Sequence, residues 1–528
     1  MNPDFVVVGG GSAGCVITCR LAEAGFRVTL LEAGGRNTLL SQVPARVPAL
    51  LGSKKTNWDY PALPDHTRAG NADPWPAGKL LGGSSAINGM MYVRGHRRDY
   101  DAWAQLGATG WGYDDVEPFF TMMEHSERGP GQSRGQNGPQ WASERRDPHR
   151  LDDVFIQAAQ ELGIPRNTDM NNGTADGVDY CQLSQKKGYR HSTASAYLMR
   201  ARLTRRVTVL TGAHVQRILF TGDKASAVEY ERSGRQQQMH ANKGIVLSGG
   251  AMATPKLLLL SGIGDKAQLA DHRIPVVTHL PGVGENLQEH VALRTSAHVN
   301  VPTLTSELSA WKMPGHLFDF LLHGRGPLTM PVGHAQAFAR SRAHLESPNI
   351  QLIFSPFALQ VSGGQAGIYK TPAITIAVGL CRTDARGRVR LSSSDARVPP
   401  QIFFEAFTNK DDLEQLKEGA RLARRFYTSE AFAPYVTTEH LPGSSVQSDD
   451  EWRRYIKNNA FLMYHPCGTC RIGTDPLAVV NPALNVHGVN RLWVADASVM
   501  PTLVAGNINA TCIMIGEKGA RHIIEATQ

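Results

Sequence analysis

The sequence is poor in cysteine and lacks any dense, even spacing of it. Cys15, Cys19, Cys181, Cys381, Cys467, Cys470 and Cys512 are an odd set of seven in 528 residues, which excludes the framework of a disulfide-stapled secreted domain and suits a reducing compartment. Long apolar runs are also missing: stretches such as Ala251–Leu260 fall far short of the roughly 20 residues that span a bilayer. An apolar strand pattern begins at Phe5, leaving no room before it for a charged region and a cleavable hydrophobic segment. These features predict a soluble, cytoplasmic protein without a transmembrane segment. No repeat or low-complexity tract occurs. Nor is there a basic stripe with interleaved aromatics: 55 basic and 47 acidic residues give a net charge of +8 spread along the chain. The densest clusters, Arg94–Arg98 and Arg202–Arg206, are short and interrupted, so no nucleic-acid partner is expected. The surplus is a mild bias toward anionic partners.

What remains is a globular composition, 41% hydrophobic and 19% charged, with 52 glycines and 30 prolines marking many turns. The length exceeds one hydrophobic core and predicts two structural units, interleaved along the chain. Phe5-Val6-Val7-Val8 reads as a buried strand. Gly9–Gly14 breaks it, helical spacing runs from Cys15 to Ala24, and Gly25 closes the helix. Arg27–Leu31 then forms a second strand ending at Glu32-Ala33-Gly34. This is a βαβ unit and sets an α/β fold class.

Within it, Gly9-x-Gly11-x-x-Gly14 follows a strand and opens a helix, and Glu32 lies 18 residues past Gly14. The first glycine permits the tight turn, the second lets backbone approach a pyrophosphate, and the third brings helix onto strand. Phosphate then sits on unpaired amides at the positive end of the helix. Glu32 can accept both ribose hydroxyls and repels a 2′-phosphate, which disfavours NADP; the motif leaves NAD and FAD open.

Beyond Gly34 the Pro/Gly-rich stretch through Trp58, Pro64, Pro74 and Pro76 predicts extended chain lying over the first domain. A second set of short strands at Val207–Leu210, Ala227–Glu231 and Gly244–Leu247 is expected of sheet belonging to the nucleotide-binding part. Between about Val301 and Phe461, strands at Ile350–Phe354 and Thr375–Val378 and a helix near Asp411–Tyr427 point to a second, substrate-facing domain.

The run Gly78-Lys79-Leu80-Leu81-Gly82-Gly83-Ser84-Ser85-Ala86-Ile87-Asn88, continued by Tyr92-Val93-Arg94-Gly95 and Asp101, resembles the first signature of the glucose-methanol-choline (GMC) flavoprotein oxidoreductases. Gly250-Ala251-Met252-Ala253-Thr254-Pro255, followed by Ser261-Gly262-Ile263-Gly264, resembles the second. Pro281–Gln288, Tyr464-His465-Pro466 with Gly468-Thr469-Cys470, and Val494–Ser498 are similar to further family blocks. The blocks run in family order over essentially the full length. The resemblance implies FAD in a Rossmann-like domain assembled from residues 1–150, 190–295 and 462–528. It implies an inserted substrate-binding domain, residues 151–189 and 296–461, on an antiparallel sheet flanked by helices. Ile87 stands where some members attach FAD through a histidine, so the flavin is expected to be non-covalent.

Cofactor contacts are implied for Gly9, Gly11, Ser12, Ala13 and Gly14 in the turn and for Glu32 and Ala33 after the second strand. The turn Gly82, Gly83, Ser84 offers small residues and free amides to the flavin's edge, and Asn88, Gly89, Met90 and Met91 continue it. Val215 matches the family position whose backbone contacts adenine. Asp496, Ala497, Asn507 and Asn509 complete the set.

Taking hydride from an alcohol carbon requires the hydroxyl proton to leave, and histidine is the natural acceptor near neutral pH. The resemblance places the base at His465. Its partner, His or Asn in different members, falls on Asn507, whose amide can hold the substrate oxygen as charge develops. The alternative reading makes Asn507 or Asn509 a cap of the last helix, a role that can coexist with the first; the N-terminus of that helix favours negative charge on flavin N1 and the C2 carbonyl. In this reading His465 takes the proton, Asn507 orients the oxygen and hydride passes to flavin N5.

The expected activity is an alcohol dehydrogenase using a quinone or other carrier; an oxygen-using oxidase, a hydroxynitrile lyase or a light-driven decarboxylase are alternatives on the same scaffold. His334, in Gly333–Ala337, stands where many choline-type members carry glutamate, which favours an uncharged primary alcohol or a sugar-like polyol over a quaternary ammonium. Tyr464, His334 and Phe354, with Phe357 and Trp311, are candidate pocket wall, and Val361–Gly367 is a candidate lid. Cys467 and Cys470 form a CxxC without further ligands at metal-like spacing and read as structural thiols, with no metal expected.

Overall fold

The computed structural model describes residues 1–131, 133–307, 311–362, 365–369 and 371–528. Every side chain of Phe5–Val8 is buried, as expected of a parallel strand covered on both faces. Gly244–Leu247 and Val28–Glu32 flank it, with Leu492–Val494 and Val207–Thr211 outside them. All pairs in this five-stranded sheet are parallel. The first helix, Ser12–Glu23, and the last, Asn509–Thr527, pack together. Gly516 permits that approach, since a Cβ there would lie 3.0 Å from the Ala13 carbonyl oxygen. Arg20 donates to Glu517 at 2.6 and 2.8 Å, and the Ser12 hydroxyl to Asn509 Oδ1 at 2.8 Å.

One strand of the second set lies in a sheet of its own. Lys224–Arg232, which contains Ala227–Glu231, pairs antiparallel with Ala213–Thr221 and Arg235–His240 in a separate three-stranded sheet. Its alternation of buried and part-buried residues is that of a sheet with one covered face, unlike the fully buried parallel strands.

The second sheet has seven strands. Its path runs Val436–Leu441, Val291–Val299, Ala373–Leu380, Ile350–Ser355, Ala335–Ala339, Gly177–Tyr180, with Phe461–Leu462 also pairing Val291–Val299. All of these pairs are antiparallel. The boundary expected at residue 295 therefore falls inside a strand, and the one at 462 falls inside another. Lys410–Tyr427 covers the sheet. Asn409 caps it, Asp411 and Asp412 occupy its positive end, and its buried residues Leu413, Leu416, Ala420, Ala423 and Phe426 follow helical spacing. Burying each leucine or phenylalanine contributes about 1.5–3 kcal/mol. Gly419 brings the helix close, since a Cβ there would lie 2.7 Å from Val378 Cγ1.

The 34–76 stretch does not lie only over the first domain. Tyr60 and Trp75 are buried in the core of the antiparallel sheet, and Trp75 meets Phe404 edge-on. Among the described residues no helix is long and apolar enough to cross a membrane. Of the candidate lid, Gly363 and Gly364 lie outside the described residues; the backbone of Leu359–Ser362 pairs with Gln365–Ile368 as an antiparallel hairpin.

Candidate active site

The glycine turn is built by close packing on one side and openness on the other. A Cβ on Gly14 would lie 1.9 Å from the Gly9 carbonyl oxygen, and one on Gly9 would lie 2.5 Å from that of Ser248. At Gly11 nothing is nearer than 3.8 Å. The helix starting at Ser12 has no side-chain cap, so the amides of Ser12, Ala13 and Gly14 form a positive end free to take an anion. Glu32 accepts the amides of Gly10 at 2.8 Å and Gly34 at 2.7 Å, with Ala33 between strand and turn. Burial pushes its carboxyl up to about 7.

The Gly83–Ala86 turn closes on this one. Gly82 N–H donates to the Gly10 carbonyl at 2.7 Å, and a Cβ on Gly83 would lie 2.6 Å from Gly11 Cα. Ser84 Oγ accepts the Gly78 amide. Asn88 Oδ1 accepts Arg190 Nη1 at 2.8 Å and the Met90 amide at 3.1 Å, while Met90 takes a left-handed φ of 65°. Gly89 abuts Val332, and Met91 bridges to Leu183. Asp496 accepts the Gly250 amide and the Thr254 hydroxyl, and also caps the turn containing Ala497 through the Ser498 amide. The last helix likewise begins without a side-chain cap, so neither Asn507 nor Asn509 serves as one. Asn509 instead joins the two uncapped helix starts through Ser12. Open glycine backbone, paired helix N-termini and an acid after the second strand fit a dinucleotide cofactor. Val215 lies opposite Tyr230 in the separate antiparallel sheet, whose first strand packs beside Val28–Glu32.

The residue before His465 carries strain. Tyr464 sits at φ 67°, rare for a bulky side chain. The next peptide is clamped: His465 N–H donates to both carboxyl oxygens of Glu289, at 2.7 and 2.8 Å, and His290 N–H to the first of them at 2.8 Å. Glu289 is buried, which pushes its carboxyl up to about 8. Asn286 donates to the carbonyls of Gly468 and Pro501, and Gln288 exchanges two backbone bonds with Cys467. The Pro281–Gln288 block thus splints the loop that carries the histidine. Cys467 and Cys470 are both free and buried.

The His465 side chain is held from both ends. His290 Nε2 lies 3.1 Å from the Cys381 carbonyl, which can only accept, so that nitrogen carries the proton. Neutral His290 then offers a lone pair at Nδ1, 2.9 Å from His465 Nδ1. His465 must donate from Nδ1, leaving the lone pair on Nε2, 3.2 Å from Asn507 Nδ2. Burial pushes His290 down to about 4, and burial with His290 beside it holds His465 well below the usual histidine range. Glu289, His290 and His465 present ligand-type atoms within 4.8 Å of one another; in this arrangement those atoms serve the hydrogen bonds just described.

Asn507 is placed by its own neighbours. Gln351 Nε2 donates to Asn507 Oδ1 at 3.4 Å and to Gln336 at 2.9 Å, turning the amide N–H₂ toward His465. Asp99 accepts the Ala505 amide at 2.8 Å. Gly506 is at φ 78° against Phe338, where a Cβ would lie 2.9 Å from Cζ.

Three expected wall residues are elsewhere. Phe354 is core, stacked on Phe155 at 5.0 Å. His334 is fully buried beside Asp152 at 3.2 Å, and Trp311 lies on the outer surface. Tyr464 is part-exposed next to His465. Glu289, His290 and Gln351 were not singled out by sequence; the first two directly follow a recognised block and were within its reach.

Residues 3–292 match the N-terminal GMC oxidoreductase domain, and residues 383–516 match the C-terminal one. The chain belongs to the GMC oxidoreductase family. It is an FAD-dependent oxidoreductase acting on CH–OH groups. It is 37% identical to an oxygen-dependent choline dehydrogenase of Brucella anthropi, over 100% of this chain and 96% of that protein. Identity is also 37% to an alcohol dehydrogenase (acceptor) of Pseudomonas putida, over 99% and 95%. The crystal structure of pyridoxine 4-oxidase from Mesorbium loti is similar, with a TM-score of 0.88 and 30% identity over 98% of this chain and 99% of that one.

Proposed function

We propose that this GMC enzyme oxidises an uncharged primary alcohol to an aldehyde, with His465 as base, Asn507 on the substrate oxygen, and a non-oxygen carrier as electron acceptor. The observation that carries this reading is the tautomer of His465. Its Nε2 lone pair faces Asn507, so an alcohol hydroxyl between the two donates its proton to Nε2 while its oxygen accepts from the Asn507 amide. FAD, when bound, supplies the two-electron acceptor for the hydride that leaves the carbinol carbon. Gly11, Gly83 and the starts of the first and last helices would hold it, and Ile87 offers no nucleophile for a covalent link.

An uncharged substrate is supported by the local charges. Arg294 lies over the Phe461 ring at 3.5 Å and is near enough to Tyr464 for its charge to act there, while burial favours neutral Glu289. His334, first read as a substrate residue, gives no support because it is buried beside Asp152. A carrier matches the acceptor-type alcohol dehydrogenase, while an equally similar relative is named oxygen-dependent, so recovery in air decides between them.

The test is anaerobic mixing with a panel of alcohols while following the oxidised flavin band, then admitting air. Bleaching by neutral primary alcohols, without bleaching by choline, and slow recovery in air are expected. Bleaching by choline alone, or rapid recovery in air, would overturn the substrate or acceptor assignment; no bleaching would favour a lyase.

A further inference from the structure

Helix Met313–His323 buries little of its apolar content. Phe320 packs on Tyr189 at 4.5 Å, but Leu317, Phe318, Leu321 and Leu322 point to solvent, with Phe318 61% and Leu322 64% exposed. Their spacing puts all four on one helix face. Trp311 before the helix is 79% exposed. Packed elements lead from it to a second exposed apolar pair: the helix packs on the Pro327–Thr329 turn, that turn on Pro44–Arg46, and this on Leu39–Gln42, where Leu39 is 78% exposed and Leu40 60%. Clustered large apolar side chains of this kind mark an interaction site on a globular surface.

The rim decides the partner. Arg36, Arg46, Lys54 and Lys55 are exposed, and no acidic residue occurs between Arg36 and Lys55. Lys187 and Arg325 stand at the far end, where the Lys187 carbonyl closes on Gly324. Glu307 is paired with Lys312, and Asp319 is hydrogen-bonded to His323. Exposed leucine, phenylalanine and tryptophan edged by basic residues match an interface that is apolar in its depth and anionic at its surface. We propose that this surface docks the enzyme onto a bilayer containing anionic phospholipid, with Leu317–Leu322 and Leu39–Leu40 entering the acyl boundary. Val332, exposed at the edge of the patch, lies against Gly89, so the docked face borders the loop that follows the Gly83–Ala86 turn.

Flotation of the holoenzyme with vesicles of equal phosphatidylcholine and phosphatidylglycerol tests this, beside the Phe318→Ser/Leu321→Ser/Leu322→Ser variant. Flavin content and the melting temperature check that the variant is folded. Wild type should float with the mixed vesicles, less so at high salt, and the variant should lose at least about tenfold in bound fraction. Wild type remaining at the bottom, or the variant floating equally well, would overturn the proposal. Equal flotation on phosphatidylcholine alone would overturn the anionic assignment. Self-association without lipid that the variant abolishes would assign the face to a second copy of the chain. None of these outcomes depends on alcohol oxidation, so they separate from the catalytic reading.

Discussion

The Nδ1 atoms of His290 and His465 lie 2.9 Å apart, with the rings at 90° to one another. Only one proton fits between them, and the Cys381 carbonyl decides that it belongs to His465. His290 is therefore a positioning residue. Replacing it with leucine removes the acceptor and frees His465 to put its proton on Nε2. Flavin reduction should slow by about 10–100-fold. The acid limb of its pH profile should move, because His290 Nδ1 acts directly on the proton that His465 carries. His290→Gln, whose amide oxygen can accept the same proton, should recover part of the rate; an unchanged pH profile in the leucine variant would argue for packing alone.

His465→Ala should lower the rate of flavin reduction by about 10²–10⁴-fold. In wild type the depressed pKa of His465 keeps the base neutral through pH 7. The rate should be level there and fall only on the acid side of the ordinary histidine range. Stopped-flow reduction across pH checks both points.

Asn507→Asp places a carboxylate 3.2 Å from the base in place of the amide nitrogen. The amide donor is lost, and the negative charge stabilises protonated His465. A loss of about 10²–10³-fold is expected, with the acid limb shifted upward, whereas Asn507→Ala should lose rate without that upward shift.

Glu289 makes a stability prediction. Its folded pKa of about 8 lies above the ordinary 4.5, so its neutral form is the one the fold favours. That contribution is fully present below the unfolded value and is lost as pH rises through about 8. Glu289→Gln keeps an acceptor for both amides and does not titrate. Its melting temperature should gain on wild type as pH rises from about 5 to 9. Glu289→Leu strands two buried amides and should cost about 2–6 kcal/mol by denaturant unfolding.

Acid precipitation should leave FAD in the supernatant, because Ile87 stands in the signature where a linking histidine would be needed. A yellow pellet carrying the flavin would contradict it.

Phe5–Val8 and the turn after it were legible because a short apolar run, three spaced glycines and an acid at the next strand end leave few arrangements open. The strands at Ile350 and Thr375 were legible as strands from their alternating pattern, but not which residues face a pocket. Phe354 sits in a strand buried on both faces, so alternation carried no information there. His290 directly follows a recognised block, but its role lies in a contact with a residue 175 positions away, which its position in the sequence does not report. Gln351, which turns the Asn507 amide, was hidden in the same way. The antiparallel pairing of Ala227–Glu231 was not legible, because a short strand pattern does not report whether its partners are parallel.

The Ser12–Asn509 and Arg20–Glu517 contacts span 497 residues each, and the parallel sheet takes its edge strand from Leu492–Val494. A growing chain on the ribosome thus lacks one wall of the cofactor cleft until Leu492–Val494 and Asn509–Thr527 have emerged. Such long-range closure is slow. The antiparallel sheet, complete by Phe461–Leu462, can form earlier and wait for it. A complete cleft for the flavin therefore waits on the segment from Leu492 to Thr527, and the glycine turn alone does not make one.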